Sequence, residues 1–205
     1  MKYHVNLTKE ETRDLKNKVA EKFKDIIDLL QSYNNKIAPK QHIEETPKRL
    51  AKMYVNELLK GCFTEPPKLT TFNNVHEHSP VIVKDIKVKS MCSHHFIPFI
   101  GNAVVFYLPN VKLVGLSKFS RIVNYFSRRP QVQEELTREI SEYLNIQLQP
   151  KVLAVGIKAQ HLCMSHRGAE DEEANMITFD IIINDENCGY TRSDIQKIIS
   201  TNLKS

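Results

Sequence analysis

Ser90-Met91-Cys92-Ser93-His94-His95-Phe96-Ile97-Pro98-Phe99-Ile100-Gly101 sets one thiol and two imidazoles within four residues, between two apolar runs. The runs read as β-strands. Val81-Ile82-Val83 and Ile86-x-Val88 alternate, with a change of parity near Lys84-Asp85 of the kind a bulge produces, and Ala103 to Leu108 forms the second strand. The short gap after Gly101 predicts an antiparallel pair, with the Cys/His corner between neighbouring strands.

Cys92-x-x-His95 offers two metal ligands at one bend, and Gln160-His161-Leu162-Cys163 is the later segment able to complete a set. Cys92, His95 and Cys163 then make three ligands. A closed structural zinc takes four N/S ligands, whereas a catalytic zinc takes three and keeps one position open. His94 and His161 remain beside the metal, where imidazoles suit proton transfer near neutral pH. A four-ligand structural site drawn from the same residues is the competing reading. The long separation of the two halves disfavours a compact knuckle, whose second half lies within about 20 residues of the first. His76-x-His78 is a further possible pair, set in an irregular loop with no third ligand nearby in sequence.

Outward from this corner the chain is first helical. Thr8-x-x-Glu11 is a capping box, and Leu15, Val19, Phe23, Ile26, Ile27 and Leu30 follow at helical spacing, predicting a helix over 8–33 that ends at Asn34-Asn35. Thr46-Pro47 predicts a second helix, capped by Thr46, with Leu50, Met53, Tyr54 and Leu58 buried and Gly61 as its stop. Residues 1–65 thus read as a helical arm and 66–205 as the catalytic domain.

Beyond the second strand, Ser117 is placed to cap a helix with Phe119, Ile122, Val123 and Phe126 on its apolar face. Lys118 and Arg121 on its first turn, beside free backbone N–H groups, make a candidate phosphate site. Pro130 separates it from a helix with the stripe Val132, Leu136, Ile140 and Leu144, from which Glu134 departs. Residues 152–163 read as a strand that turns Val155, Ile157, Ala159, His161 and Cys163 to one face. Met176 to Ile183 is the last strand, and Tyr190 to Leu203 a closing helix. Strand-strand-helix-helix-strand-strand implies an α+β domain, its helices on one face of an antiparallel sheet.

Composition agrees with one catalytic domain. The chain has 205 residues, 41% hydrophobic and 26% charged. No window approaches the roughly 20 apolar residues of a membrane span, and Met1-Lys2-Tyr3-His4-Val5 lacks the apolar stretch of a signal peptide, so a cytoplasmic protein is expected. Cys62 and Cys188 do not read as a disulfide framework. The net charge of +5 is spread as scattered Lys, which argues against nucleic acid and is compatible with a small anionic substrate.

Four segments together resemble type I GTP cyclohydrolase. They are the quoted stretch, Gly115-Leu116-Ser117-Lys118-x-x-Arg121-Ile122-Val123, Arg128-Arg129-Pro130-Gln131-Val132-Gln133-Glu134, and His161-x-Cys163-Met164-x-x-Arg167-Gly168. Thr46-Pro47-Lys48-Arg49-Leu50-Ala51-Lys52-Met53-Tyr54 is similar to the family's arm. The resemblance implies the tunnelling fold, here an antiparallel four-stranded sheet with two helices between strand pairs after an N-terminal helical arm. Subunit sheets would join into a barrel, as a homodecamer with intersubunit active sites. It further implies zinc on Cys92, His95 and Cys163, with His94 and His161 as the acid/base pair and Ser117 at the ribose. Glu134 would hold the guanine edge with Gln133 lining the same pocket, and Lys118, Arg121, Arg167 and a neighbouring subunit's Arg49 would bind the triphosphate. The implied reaction is attack of water at C8 of GTP, loss of formate, and rearrangement to 7,8-dihydroneopterin triphosphate.

The chain departs from the family pattern after Arg167-Gly168, where Glu170-Asp171-Glu172-Glu173 replaces a segment usually rich in Thr and Ser. Acidic charge within about 10 Å of Arg167 would weaken triphosphate binding. His166 is read as a solvated loop residue. Two alternatives are a paralogous purine- or pterin-binding enzyme of deazaguanine metabolism and a non-catalytic, zinc-stabilised nucleotide-binding oligomer. The presence of both metal Cys and both spare His argues against the first, and the second has no need of two titratable groups, His94 and His161, beside the metal.

Overall fold

The computed structural model describes residues 5–34, 36–75 and 79–203, so that His76 and His78 lie outside the described residues. The chain divides into two compact units, Met1–Glu65 and Pro66–Ser205.

In the first unit, α1 (Lys9–Tyr33) starts at Thr8, whose hydroxyl accepts from the Glu11 N–H while the Glu11 carboxylate accepts from the Thr8 N–H. These reciprocal bonds satisfy two of the donors that a helix start leaves unpaired. Asn34 closes the helix by donating its N–H to the Leu30 carbonyl. A short α2 (Lys40–Ile43) precedes α3 (Thr46–Met53), which continues as a π-turn over Tyr54–Leu58 and a 3-10 turn over Lys60–Cys62. Thr46, expected as the cap, is already helical. Glu45 holds the cap position with helical φ and ψ, because the chain enters from α2 with helical backbone at Glu44 and no extended residue intervenes.

The second unit is built on a five-stranded sheet. A small pair, β1 (Thr71–Asn73) with β4 (Lys112–Val114), stands apart from it. The main strands are β2 (Val81–Cys92), β3 (Pro98–Leu108), β5 (Pro130–Gln131), β6 (Val152–His161) and β7 (Met176–Ile183), in the order β5-β2-β3-β6-β7. The four long strands are antiparallel as expected. The sequence reading omitted β5, a two-residue strand that pairs parallel to β2 through Met91–Pro130 and Cys92–Gln131. Two residues carry no periodicity, and a Pro in a strand is tolerated at such an edge.

Helices α4 (Ser117–Ser127) and α5 (Gln133–Leu148) cover one face of the sheet. Phe119, Ile122 and Phe126 of α4 and Leu136, Ile140 and Leu144 of α5 are buried there against Val88, Phe99, Val105, Tyr107, Val155 and Ile157. Each fully buried large apolar side chain contributes about 1.5–3 kcal/mol. The opposite face is partly covered by α7 (Arg192–Asn202), whose Ile195 and Ile199 pack on Val104, Phe106, Ala154 and Ile181. Helices therefore lie on both faces, which the element order did not disclose. Gly156 permits this second contact, since a Cβ there would lie 2.4 Å from Ile199 Cγ2.

A bulge decides which way Cys92 points. The β2–β3 register shifts between Val83 and Ile86, with Asp85 at φ 59°. Buried positions accordingly pass from Val83 to Ile86, Val88, Ser90 and Cys92. Side chains alternate along a strand, so without the extra residue Cys92 would face away from α4 and α5.

Candidate functional site

The ends of β2 and β6 and the start of β3 meet at one end of the sheet's central strands. There Cys92 donates its N–H to the Ile97 carbonyl, Phe96 donates back to the Cys92 carbonyl, and Phe96 takes φ 52° to complete the bend. The neighbouring β5 holds the corner from the other side. Ser93 donates to the Gln131 carbonyl, and the buried Gln131 amide donates to Ser90 Oγ and the Phe126 carbonyl.

On this corner the ligand atoms of Cys92, His95 and Cys163 lie within 4.8 Å of one another, with Cys92 Sγ 4.0 Å from His95 Nδ1. Ligand bonds of 2.0–2.3 Å in a tetrahedron separate the ligand atoms by roughly 3.3–3.8 Å, so small adjustments would fit them to a metal ion. The donor set also suits a cation. Burial pushes the Cys163 thiol up, Cys92 beside it acts in the same direction, and Arg167 opposes both. Two adjoining thiols resist ionising together unless a positive ion lies between them, and a coordinated thiol is deprotonated outright. Among the described residues this is the one cluster of three such groups. His94 Nδ1 is 3.9 Å from Cys92 Sγ, yet outside the mutually close set.

Cys163 reaches the cluster differently from the expected route. β6 ends at His161, and Cys163 belongs to a one-turn helix, α6 (Leu162–Ser165). Strand alternation therefore does not place it. His161 ends the inner face of β6, pairs in register with Phe99, and stacks on that ring at 4.6 Å and 10°. Its Nε2 is 2.9 Å from Gln133 Oε1. Burial lowers the His161 pKa, partly offset by the Glu134 carboxylate.

Gln133 has its side chain fully buried at the start of α5. Its amide nitrogen donates towards the Ile157 and Met176 carbonyls and Thr178 Oγ1, each at 3.1 Å. Sequence reading missed this because the partners come from β6 and β7, far along the chain. Glu134, the next residue, is exposed and borders a cavity of about 470 Å³ between α5 and β7, also lined by Thr178, Phe179 and Asp180.

The phosphate candidates lie elsewhere. Tyr107, paired with Val81 at the far end of β2, packs on Phe119, while Phe126 lies at the Ser90–Gln131 end. Helix α4 therefore runs towards the Cys/His corner, and its first residues stand about 15 Å from its last. Ser117 and Lys118 accordingly lie remote from the corner, with Arg121 one turn along, and Lys118 Nζ donates to Thr70 Oγ1 at 3.4 Å. Ser117 does not cap the helix. Leu116 holds that position with helical backbone, and the Lys118 and Phe119 N–H groups are already bonded to Gly115 and Leu116 carbonyls. The expected set of free helix-start donors is thus reduced. Arg167 is exposed just after α6, as is His166, and Arg49 lies on α3 in the first unit.

The acidic turn is held by its own contacts and by one from β6. Asp171 accepts from the Glu173 and Ala174 N–H groups, and the Glu172 carbonyl accepts from Gln160. No described helix is long and apolar enough to cross a membrane.

The chain matches the family described as GTP cyclohydrolase I over residues 13–199. It is 42% identical to GTP cyclohydrolase 1 of Sulfurihydrogenibium sp. (strain YO3AOP1) over 166 residues, 80% of this chain and 87% of that one. With GTP cyclohydrolase 1 of Wigglesworthia glossinidia brevipalpis the identity is 40% over 167 residues, 80% of this chain and 75% of the relative. The corresponding protein of Desulforamulus reducens is 46% identical over 142 residues, covering 68% and 75%.

Proposed function

The chain belongs to the GTP cyclohydrolase I family, and from that premise we propose that it converts GTP to 7,8-dihydroneopterin triphosphate with release of formate, in the cytoplasm, as a homo-oligomer of decameric type. The observation that carries the reading is the convergence of Cys92, His95 and Cys163 within 4.8 Å beside a His161 already fixed by Phe99 and Gln133. A closed structural site has no use for that second, oriented imidazole.

Zinc is the metal proposed for the three ligands, since thiolate and imidazole suit it, and when bound it supplies Lewis-acid activation of water near neutral pH. His161 and His94 take up and return protons as the guanine five-membered ring opens. The Glu134 carboxylate accepts from N1–H and the 2-amino group of guanine, a paired geometry that excludes adenine. Lys118, Arg121 and Arg167 bind the triphosphate, with Ser117 at the ribose and Arg49 contributed by another copy. Chain geometry supports a shared site, because Ser117 and Lys118 stand at the end of α4 opposite the one that approaches the corner, about 15 Å along the helix.

The test is to incubate metal-loaded protein with GTP and to measure formate together with the fluorescence of the oxidised pterin. Equimolar formate and pterin are expected. Zinc bound and GTP retained without either product would overturn the assignment.

A further inference from the structure

The surroundings of Gln133 determine which nitrogen of His161 carries its proton. The Gln133 amide nitrogen faces three oxygens at 3.1 Å: the Ile157 carbonyl, the Met176 carbonyl and Thr178 Oγ1. Turning the amide over would set its own oxygen against two carbonyls, which have no proton to offer. Hydrogen-bond chemistry therefore selects the orientation with the amide nitrogen towards these oxygens.

The hydroxyls nearby close a consistent chain of donors. Thr137 Oγ1 donates to the Gln133 backbone carbonyl at 2.8 Å, which uses its one hydrogen. Thr178 Oγ1, 2.6 Å from Thr137 Oγ1, must then be the donor of that pair, leaving its lone pairs to accept from Gln133. Gln133 Oε1 is consequently an acceptor aimed at His161 Nε2, 2.9 Å away, and the bond requires the hydrogen to reside on Nε2. Phe99 stacked under the ring restrains its plane.

We propose that Gln133 is a positioning residue, which holds neutral His161 as the Nε2–H tautomer and so makes Nδ1 the nitrogen that exchanges protons with the substrate. In the reaction, the Nδ1 lone pair accepts one proton, the ring becomes imidazolium with Nε2–H still bonded to Gln133, and the same proton leaves from Nδ1. The role in turnover rests on the reaction proposed above, whereas the tautomer does not.

The primary test uses the wild-type, metal-loaded protein with ¹⁵N-labelled histidine, at a pH where the neutral ring predominates. The His161 signals are identified by their loss in His161→Gln. A protonated Nε2 with an unprotonated Nδ1 is expected, and the reverse pattern overturns the proposal without any variant of Gln133. Gln133→Leu should give a mixture of tautomers and lower kcat by about 10–100-fold, the usual cost of losing a group that orients a functional histidine. KM for GTP should stay within about twofold, since no substrate contact is removed. Raised KM with kcat kept would instead make Gln133 a guanine contact and the positioning role wrong. Thr178→Val retains both carbonyl acceptors for the amide and should preserve the Nε2–H pattern; its loss there would also count against the proposal. A wild-type protein with the Nε2–H pattern but no formate would refute the reaction and leave the tautomer assignment standing.

Discussion

The two ends of helix α4 differ in what the chain has built around them. At its C-terminal end β5, Gln131 and Ser90 hold the corner that carries Cys92, and α5 supplies the Gln133 that fixes His161. At its N-terminal end Ser117, Lys118 and Arg121 have few fixed contacts: Lys118 reaches Thr70 at 3.4 Å, while Ser117 and Arg121 are exposed. The corner is preorganised by one chain, and the cationic end is not. Chemistry at a reacting centre needs groups held in place before substrate arrives, whereas long cationic side chains can gather around an anion after it binds.

The largest effect tests whether the two ends belong to one site made from two copies. His161→Ala and Arg121→Ala should each be nearly inactive, the former with kcat down about 10²–10⁴-fold and its metal content unchanged. Co-assembled in equal amounts, the two variants should regain activity, with about a quarter of the sites intact if each site draws one end from each of two chains. No recovery in verified mixed oligomers would mean that each chain completes its own site. Loss of metal from His161→Ala would make that residue a ligand.

Gly101→Ala strikes the preorganised end directly. A Cβ at Gly101 would lie 1.9 Å from the Lys158 carbonyl oxygen and 2.6 Å from Ala159 Cα, both backbone atoms of β6. The β3–β6 pairing that aligns Phe99 with His161 must then open, at an expected cost of about 3 kcal/mol or more. Denaturant unfolding measures it, and a variant as stable as wild type would show that β6 yields easily.

A smaller change, Phe99→Leu, removes the ring under His161 while keeping an apolar side chain. About 1 kcal/mol of stability should be lost with the stacking, and kcat should fall while KM is kept. An unchanged kcat would show that the Gln133 bond alone orients the imidazole. Least is expected at the cationic side. Neutralising Glu170, Glu172 and Glu173, while sparing the turn-forming Asp171, should lower KM for GTP by about twofold through reduced screening of Arg167. KM independent of these charges would remove the acidic turn from any account of phosphate binding.

Local patterns were legible wherever neighbours in sequence do the work. Thr8 with Glu11, the apolar stripes of α4 and α5, the bulge near Asp85 and the span Met176–Ile183 need only residues within a turn or a strand of one another. The Cys92, His95 and Cys163 set was likewise readable, because thiols and imidazoles have few other reasons to cluster. The caps at Thr46 and Ser117 failed as readings for one reason. A cap needs extended backbone, and the preceding residues Glu45 and Leu116 entered their helices already in helical conformation.

By itself the amino-acid order determined the strand and helix succession, the chemistry of the corner and the family to which it belongs, since each depends on residue type at short spacing. Only the tertiary structure decided that Gln133 serves His161, that two residues at Pro130–Gln131 brace Cys92, and that the cations of α4 stand away from the corner. Those outcomes depend on which distant backbone carbonyl or ring a side chain meets once sheet and helices have packed, and that information is not carried by any local window of the chain.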